Sequence, residues 1–446
     1  MRRVGAPSLA VFSLFIVGTC YIAYGLARQE SMLLVPAYAG LFFLYSWAVW
    51  REDDTRFWLT GSILIRLCLL GALPNLSDDF YRFIWDGRSW AAGIHPFAAM
   101  PAEVVTQNIP GLDQALFEKL NSKQYFTVYP PLAQFVFWIS VKMFPNSVPG
   151  SVAVMRMLII LAETGTILLM IKLLERWKLP RNNALLYALN PLVILELTGN
   201  LHFEAFMIFF LLLSLWFLNA NRIMLGAVGF SFAIGTRLLP VIFLPFLPAL
   251  IGWRKSFVFY VLAGGTCLLL FIPMYDPEVF DGFSKSLGMY FQKFEFNASL
   301  YYLVREYGFW KVGYNTIQSS GWKLGVISGV LIVAYSFLFL PSRSMPKDSD
   351  HGVHVWRVAG WLFILFIYLV FATTVHPWYI TTLLAISVFT PFRFVMTWTA
   401  SIFLTYIGYS AAGFSENLWI TALEYVSVFG YLGYELSEKE RSLRSQ

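Results

Sequence analysis

Charge is what this chain is short of. Only 13% of its 446 residues are Asp, Glu, Lys or Arg, about half the ~25% usual for a soluble globular domain. So few charges cannot clothe a soluble fold of this length, which excludes a soluble enzyme, a disordered chain and a nucleic-acid-binding module. Cysteine is scarce too. Cys20, Cys68 and Cys267 each lie in an apolar stretch, so no disulfide or metal framework is present. There is no P-loop, no Gly-rich dinucleotide fingerprint, no low-complexity segment and no repeat with a period of ~20–50 residues.

What is there is hydrocarbon: 58% of the residues are hydrophobic. A bilayer core of ~30 Å takes ~20 apolar residues as helix. Spans are expected near 9–27, 32–50, 57–73, 152–174, 184–199, 205–219, 256–273, 322–340, 358–373, 378–392, 395–411 and 418–433. The stretch 224–252 is too long for one span, and Arg237 and Pro240 interrupt it, so it divides into two short segments meeting near Arg237. The expectation is an all-α polytopic transmembrane bundle of about 13–14 spans in a single domain. The first span lacks a small-residue cleavage site and more spans follow at once, so it is no cleavable signal peptide.

Cytosolic loops collect Lys and Arg, and this orients the spans. Arg2 and Arg3 put the N-terminus inside, and the third span then delivers a first large loop, 74–151, to the outside. The stretch 131–144 is short and carries Lys142. If it dips or lies on the surface instead of crossing, the basic run 172–183 stays inside, together with Arg222, Arg254, Lys255, Arg343, Lys347, Arg393 and Arg441. The outer face then also receives the turn 199–204, the Arg237 junction, a second large loop 274–321, the turn 374–379 and 414–419.

Chemistry concentrates on that outer face. In Ser77-Asp78-Asp79-Phe80-Tyr81-Arg82-Phe83-Ile84-Trp85-Asp86-Gly87-Arg88, apolar residues recur at i, i+3 and i+4, the pattern of a short amphipathic surface helix. Ser77 can cap it, and the helix dipole favours Asp78 and Asp79 in the first turn. Arg82 stands four residues from both Asp78 and Asp86, so pairing along one face accounts for these charges in a bland way. The functional account is that one of Asp79 and Asp78 takes a proton from an acceptor hydroxyl. Neighbours on a helix point ~100° apart, so the two do not share that role. Arg237, Arg88 and His376 are candidates to hold an anionic leaving group. Arg237 is the most informative, because an ionisable side chain inside an apolar stretch is costly. Its bland reading is snorkelling to the interface. Tyr81, His95, Tyr129, His202, Glu204, Trp378 and Tyr379 are candidates to bind substrate, although Trp378 and Tyr379 also suit an aromatic belt. His202 and Glu204 alone make a weak metal signal. Asn297-Ala298-Ser299 fits a glycosylation sequon, a pattern common by chance.

In SDDFYRFIWDGRSWAAGIHPF (77–97), YPPLAQ (129–134), GNLHFEAF (199–206), TRLLP (236–240), FNASLYYLVR (296–305) and TVHPWY (374–379) the chain resembles the GT-C superfamily of integral-membrane glycosyltransferases. The likeness is strongest to bacterial, mannosyltransferase-like enzymes that use polyprenyl-phosphate sugars. It implies a GT-C-like bundle with surface helices in the first outer loop and an Asp of that loop as general base. It also implies a lipid-linked monophosphate sugar as donor, mannose by default. The acceptor would be a glycolipid, a glycan or a protein, and membrane lipid would surround the whole. The site would face the periplasmic side of a bacterial inner membrane. The acids here are adjacent, not spaced as Asp-x-Asp, which weakens the case for a metal. No cofactor is demanded, and a divalent cation, Mg or Mn, stays open. The rivals are a transporter or flippase of lipid-linked sugars, a transferase of another lipid-borne group, and a non-catalytic assembly subunit.

Overall fold

The computed structural model describes residues 4–51, 54–275, 277, 282, 284–285, 288, 292–338 and 350–444. Arg2, Arg3, Arg343, Lys347 and much of 276–291 lie outside the described residues. The described residues are helical almost throughout, with one hairpin of two-residue strands, Tyr409–Ser410 against Gly413–Phe414.

The first three helices are α1 (Ala6–Gly25), α2 (Ser31–Trp50) and α3 (Thr55–Cys68). The outer segment then forms α4 (Asp79–Ala91) and, beyond three short helical pieces, α5 (Pro131–Met143). Next come α6 (Val148–Arg176), α7 (Glu204–Asn219), α8 (Ile223–Thr236) and α9 (Trp253–Phe271). The C-terminal half adds α10 (Leu300–Val312), α11 (Ile317–Leu338), α12 (Asp350–Phe371), α13 (Tyr379–Ser387), α14 (Phe394–Ser401) and α15 (Leu418–Arg444). Among the described residues five helices are long and apolar enough to cross a membrane, and a pair bent by 108°, Val193–Gly199 with Glu204–Asn219, makes a sixth if it is one span.

Several of the expected spans are broken rods, and proline is the usual reason. Pro240, Pro245 and Pro248 cannot donate backbone hydrogen bonds, so the second half of the long apolar stretch is 3-10 helix over Leu239–Phe246 followed by a short α-turn, Leu247–Ile251. The break at Arg237 falls where the sequence puts it, with Arg237 extended at φ −152°, ψ 139°. The expected span 184–199 divides into a 3-10 turn, a four-residue α-turn and a π-helical stretch, Val193–Gly199. At 13 residues, α5 is ~20 Å long, too short to cross ~30 Å of hydrocarbon.

Helix α4 is not a loose surface helix. It packs closely on α5, and a Cβ at Gly87 would lie 2.6 Å from the Phe137 carbonyl oxygen, so only glycine lets the two backbones approach this far. Phe83 stacks on Phe137 at 4.6 Å between centroids.

Arginines bolt the bundle together from within. Arg66 of α3 and Glu163 of α6, both fully buried, pair at 3.0 Å. Tyr187 donates to the other Glu163 oxygen at 2.7 Å, and Arg66 also donates to the Ala188 carbonyl at 2.7 Å. Arg156 donates to the carbonyls of Thr198 and Gly199, at 2.8 Å each, and to those of Leu70 and Ala72, collecting helix-end oxygens that lack intrahelical partners. Removing one member of a buried pair strands the other charge, at a cost of about 3–5 kcal/mol. Glu163→Ala is therefore expected to lower the unfolding temperature of the purified protein sharply. An unchanged temperature would show that the pair does not stabilise the bundle.

Candidate active site

At one end of the bundle a polar cavity of about 280 Å³ opens, lined by Arg28, Asp78, Asp79, Arg82, Asn121, Tyr129, Arg237, His376, Trp378 and Tyr406 among others. The segments read from charge bias as outer are the ones that meet here: the start of α4, the loop before α5, the Arg237 junction and the turn 374–379. A second, apolar groove of about 340 Å³ adjoins it, and Val128, Arg237, Thr374 and Tyr379 line both. One wall of the groove is a face of α11, where Gly321, Gly325, Ser328, Gly329 and Ile332 follow helical spacing and leave room for a ligand.

The two adjacent acids have different fates. Asp78 forms an ion pair with Arg28, from the turn between α1 and α2, and Arg28 also lies over the Tyr409 ring. Asp79 takes only neutral side-chain donors: Asn121 Nδ2 at 2.8 Å to one oxygen and the Tyr129 hydroxyl at 3.3 Å to the other. Other carboxylates in and beside the cavity are matched by arginine, Asp86 by Arg82 at 2.6 Å and Glu204 by Arg237 at 3.1 Å. Asp79 thus faces the cavity with no arginine or lysine among the described residues in salt-bridge contact.

The residues that present those neutral donors are held by Arg82. Its guanidinium donates to the carbonyls of Ser122 and Tyr125, at 3.0 and 2.9 Å, and so staples the 121–129 loop to α4. Gln134 of α5 donates to Asp86 at 3.0 Å and to Thr127 at 2.9 Å, closing the same network. The i, i+4 pairing open to Arg82 in the sequence therefore goes to Asp86.

The opposite wall is aromatic. Phe296 and the 373–375 segment exchange backbone bonds, Phe296 N–H to Thr373 O at 3.1 Å and Val375 N–H to Phe296 O at 2.8 Å. His376 lies against Phe296 at 4.7 Å and against Trp378 at 4.4 Å. Burial among these rings lowers the His376 pKa to about 3; the Asp79 charge opposes the shift, and His202 and Arg237 add to it. His376 is therefore a neutral imidazole at physiological pH and offers a hydrogen bond, not a positive charge.

Of the sequence candidates, Asp78, Asp79, Tyr129, Arg237, His376, Trp378 and Tyr379 line the cavity together. Glu204, 3% exposed, lines the apolar groove and holds Arg237. His202 is fully buried behind the cavity, stacked on Trp378 at 3.6 Å. Arg88 lies elsewhere, donating to the carbonyls of Gly111 and Pro145 at 2.8 and 2.9 Å. Tyr81 packs against Phe80 and Lys119, and His95 accepts from the Phe97 N–H at 3.2 Å. The sequon residue Asn297 is buried and donates to Glu424 at 3.0 Å, so it cannot accept a glycan in the folded protein. Sequence reasoning missed Arg28, Asn121 and Tyr406. Only Arg28 carried a signal, as a charge in the short polar gap between two apolar runs. Among the described residues no group of three His, Cys, Asp or Glu side chains could hold a metal ion.

The fold is an apolar helical bundle of the membrane-protein kind, with a polar cavity beside an apolar groove. A family model described as alpha-(1->6)-mannopyranosyltransferase, N-terminal domain, matches residues 13–252, and the chain belongs to this family, the MptA/B family of mannosyltransferases. No curated protein and no solved structure matches it.

Proposed function

We propose that the protein transfers mannose from a polyprenyl monophosphate donor to an acceptor hydroxyl at the extracytoplasmic face, forming an α-(1→6) linkage by a single inverting displacement. The observation that carries this reading is that Arg237 stands on the boundary between the apolar groove and the polar cavity that contains Asp79. A polyprenyl chain in the groove brings its phosphate to Arg237 and its sugar into the cavity. The acceptor, whether glycolipid, glycan or protein, enters from the aqueous side.

The acceptor oxygen attacks the anomeric carbon while its proton passes to Asp79. The bond from that carbon to the phosphate oxygen breaks, and the lipid monophosphate leaves with the electron pair. Arg237 meets the charge that develops on the phosphate with guanidinium hydrogen bonds in a site of low dielectric. Neutral His376 is a donor for sugar or phosphate oxygens, and the Tyr129 hydroxyl, whose one proton goes to Asp79, accepts from a sugar hydroxyl.

The test is donor choice. Protein in nanodiscs is given labelled polyprenyl-phosphate mannose or labelled GDP-mannose, with an alkyl α-mannoside as acceptor. Transfer from the lipid donor alone is expected. Transfer from the nucleotide donor with none from the lipid would overturn the proposal.

A further inference from the structure

Beneath the cavity lies a carboxylate that the transfer chemistry does not use. Glu196 is fully buried in the π-helical stretch Val193–Gly199, and wide turns of this kind are frequent at functional sites. Its carboxylate is fastened on two sides. Tyr406, which lines the cavity, donates to Oε1 at 2.7 Å. Asn200 Nδ2 donates to Oε2 at 3.3 Å, and His202 Nε2 lies 3.3 Å from the same oxygen. Between these two partners Leu201 is held in the left-handed region at φ 63°, a conformation bulky residues avoid. That turn brings the Asn200 amide back to hydrogen-bond Glu196 and sets the His202 ring beside the carboxylate without a hydrogen bond, while the His202 backbone N–H donates to the Glu196 carbonyl at 3.3 Å.

Each partner of Glu196 supports a different wall. The Asn200 side-chain oxygen accepts the Leu76 N–H at 3.2 Å, three residues before Asp79. His202 stacks on Trp378, which stacks in turn on His376. Tyr406 supplies wall directly. The acidic helix start, the aromatic turn and the Tyr406 wall come from segments far apart in sequence, and Glu196 is joined to all three.

We propose that Glu196 is a positioning residue for mannosyl transfer, fixing Tyr406, the His202–Trp378–His376 stack and the Leu76–Asp79 segment around the reacting sugar. This rests on the cavity being the transfer site. A small misplacement of reacting groups costs rate much more than ground-state binding. Glu196→Ala is therefore expected to lower kcat about 10²-fold with little change in donor KM. Glu196→Gln keeps an acceptor for Tyr406 and should recover much of the rate.

The experiment measures kcat and KM for labelled polyprenyl-phosphate mannose and an alkyl α-mannoside in nanodiscs. Glu196→Ala, Glu196→Gln, Tyr406→Phe, the Glu196→Ala/Tyr406→Phe double variant and Asp79→Asn are compared with wild type, per mole of folded protein. The expected result is a kcat-only loss in Glu196→Ala, partial recovery in Glu196→Gln, and a double variant no slower than Glu196→Ala alone. Wild-type kcat in folded Glu196→Ala, or losses in the two single variants that multiply, would overturn the positioning role. If Glu196→Ala cannot be purified folded, Glu196→Gln and Tyr406→Phe decide: losses of kcat in both support the role, and wild-type rates in both overturn it. Asp79→Asn separates the two layers, since full activity there would overturn the assignment of the base and not that of Glu196.

Discussion

Asp79→Asn is expected to lower kcat by about 10³-fold, within the range that loss of a positioned general base produces, while leaving the protein folded. The substitution keeps an oxygen to accept from Asn121, replaces the oxygen facing the Tyr129 hydroxyl with an amide group, and removes the negative charge. That charge is what the surroundings conserve. Asn121 and Tyr129 hold the carboxylate in place without an ion pair that would weaken it as a base. Asp78 makes the contrast. Its charge is committed to Arg28, and both side chains are part-exposed, so Asp78→Asn removes an interaction of at most ~1 kcal/mol and should change the rate within about fivefold. Rates of both variants under saturating donor and acceptor check this. The reverse order of effects would move the base to Asp78.

Arg237→Ala should lower kcat/KM for the lipid donor by about 10²-fold or more, the loss of charge-assisted hydrogen bonds to a phosphate in a low-dielectric site. One complication is built into the structure. Arg237 neutralises Glu204, which is 3% exposed, so the single variant also leaves a buried carboxylate unpaired. The double variant Arg237→Ala/Glu204→Gln removes that penalty. If Arg237 serves the phosphate, the double variant stays as slow as the single one. If its part is only to neutralise Glu204, activity returns. Arg237→Lys should recover a fraction of the rate, since a lysine keeps the charge but loses the fork that grips a phosphate with two bonds.

Much of this architecture is legible in the chain. The scarcity of charge gives the membrane bundle, and one arginine with one proline in an apolar run gives the break at Arg237. The shortness of 131–144 gives a helix of 13 residues. Helix geometry also explains part of what the sequence misled about. Arg88 is nine residues after Asp79, about 180° round the helix, so it points to the far side of α4. Arg82 and Asp86, three and seven residues after Asp79, return to within ~60° of its direction, which is why they reach the network beneath it.

The division of labour between Asp78 and Asp79 was not legible. It is set by Arg28, 50 residues away from Asp78, and by Asn121, 42 residues away from Asp79. No local pattern encodes which of two adjacent acids a distant arginine will meet. The apolar groove was hidden for a related reason. Gly321, Gly325, Ser328 and Gly329 look like ordinary small residues of a membrane helix until α12 and the 239–246 segment stand opposite them. His202 looked like an outer-face ligand because its turn is polar, yet the π-helical turn folds it inward against Glu196.

The most direct test is a cryo-EM structure of Asp79→Asn in nanodiscs with polyprenyl-phosphate mannose bound. The prenyl chain is expected in the groove along α11, the phosphate within hydrogen-bond distance of Arg237, and the anomeric carbon facing residue 79 across the cavity. A donor bound away from Arg237, or a sugar whose anomeric carbon faces a different wall, would contradict the account.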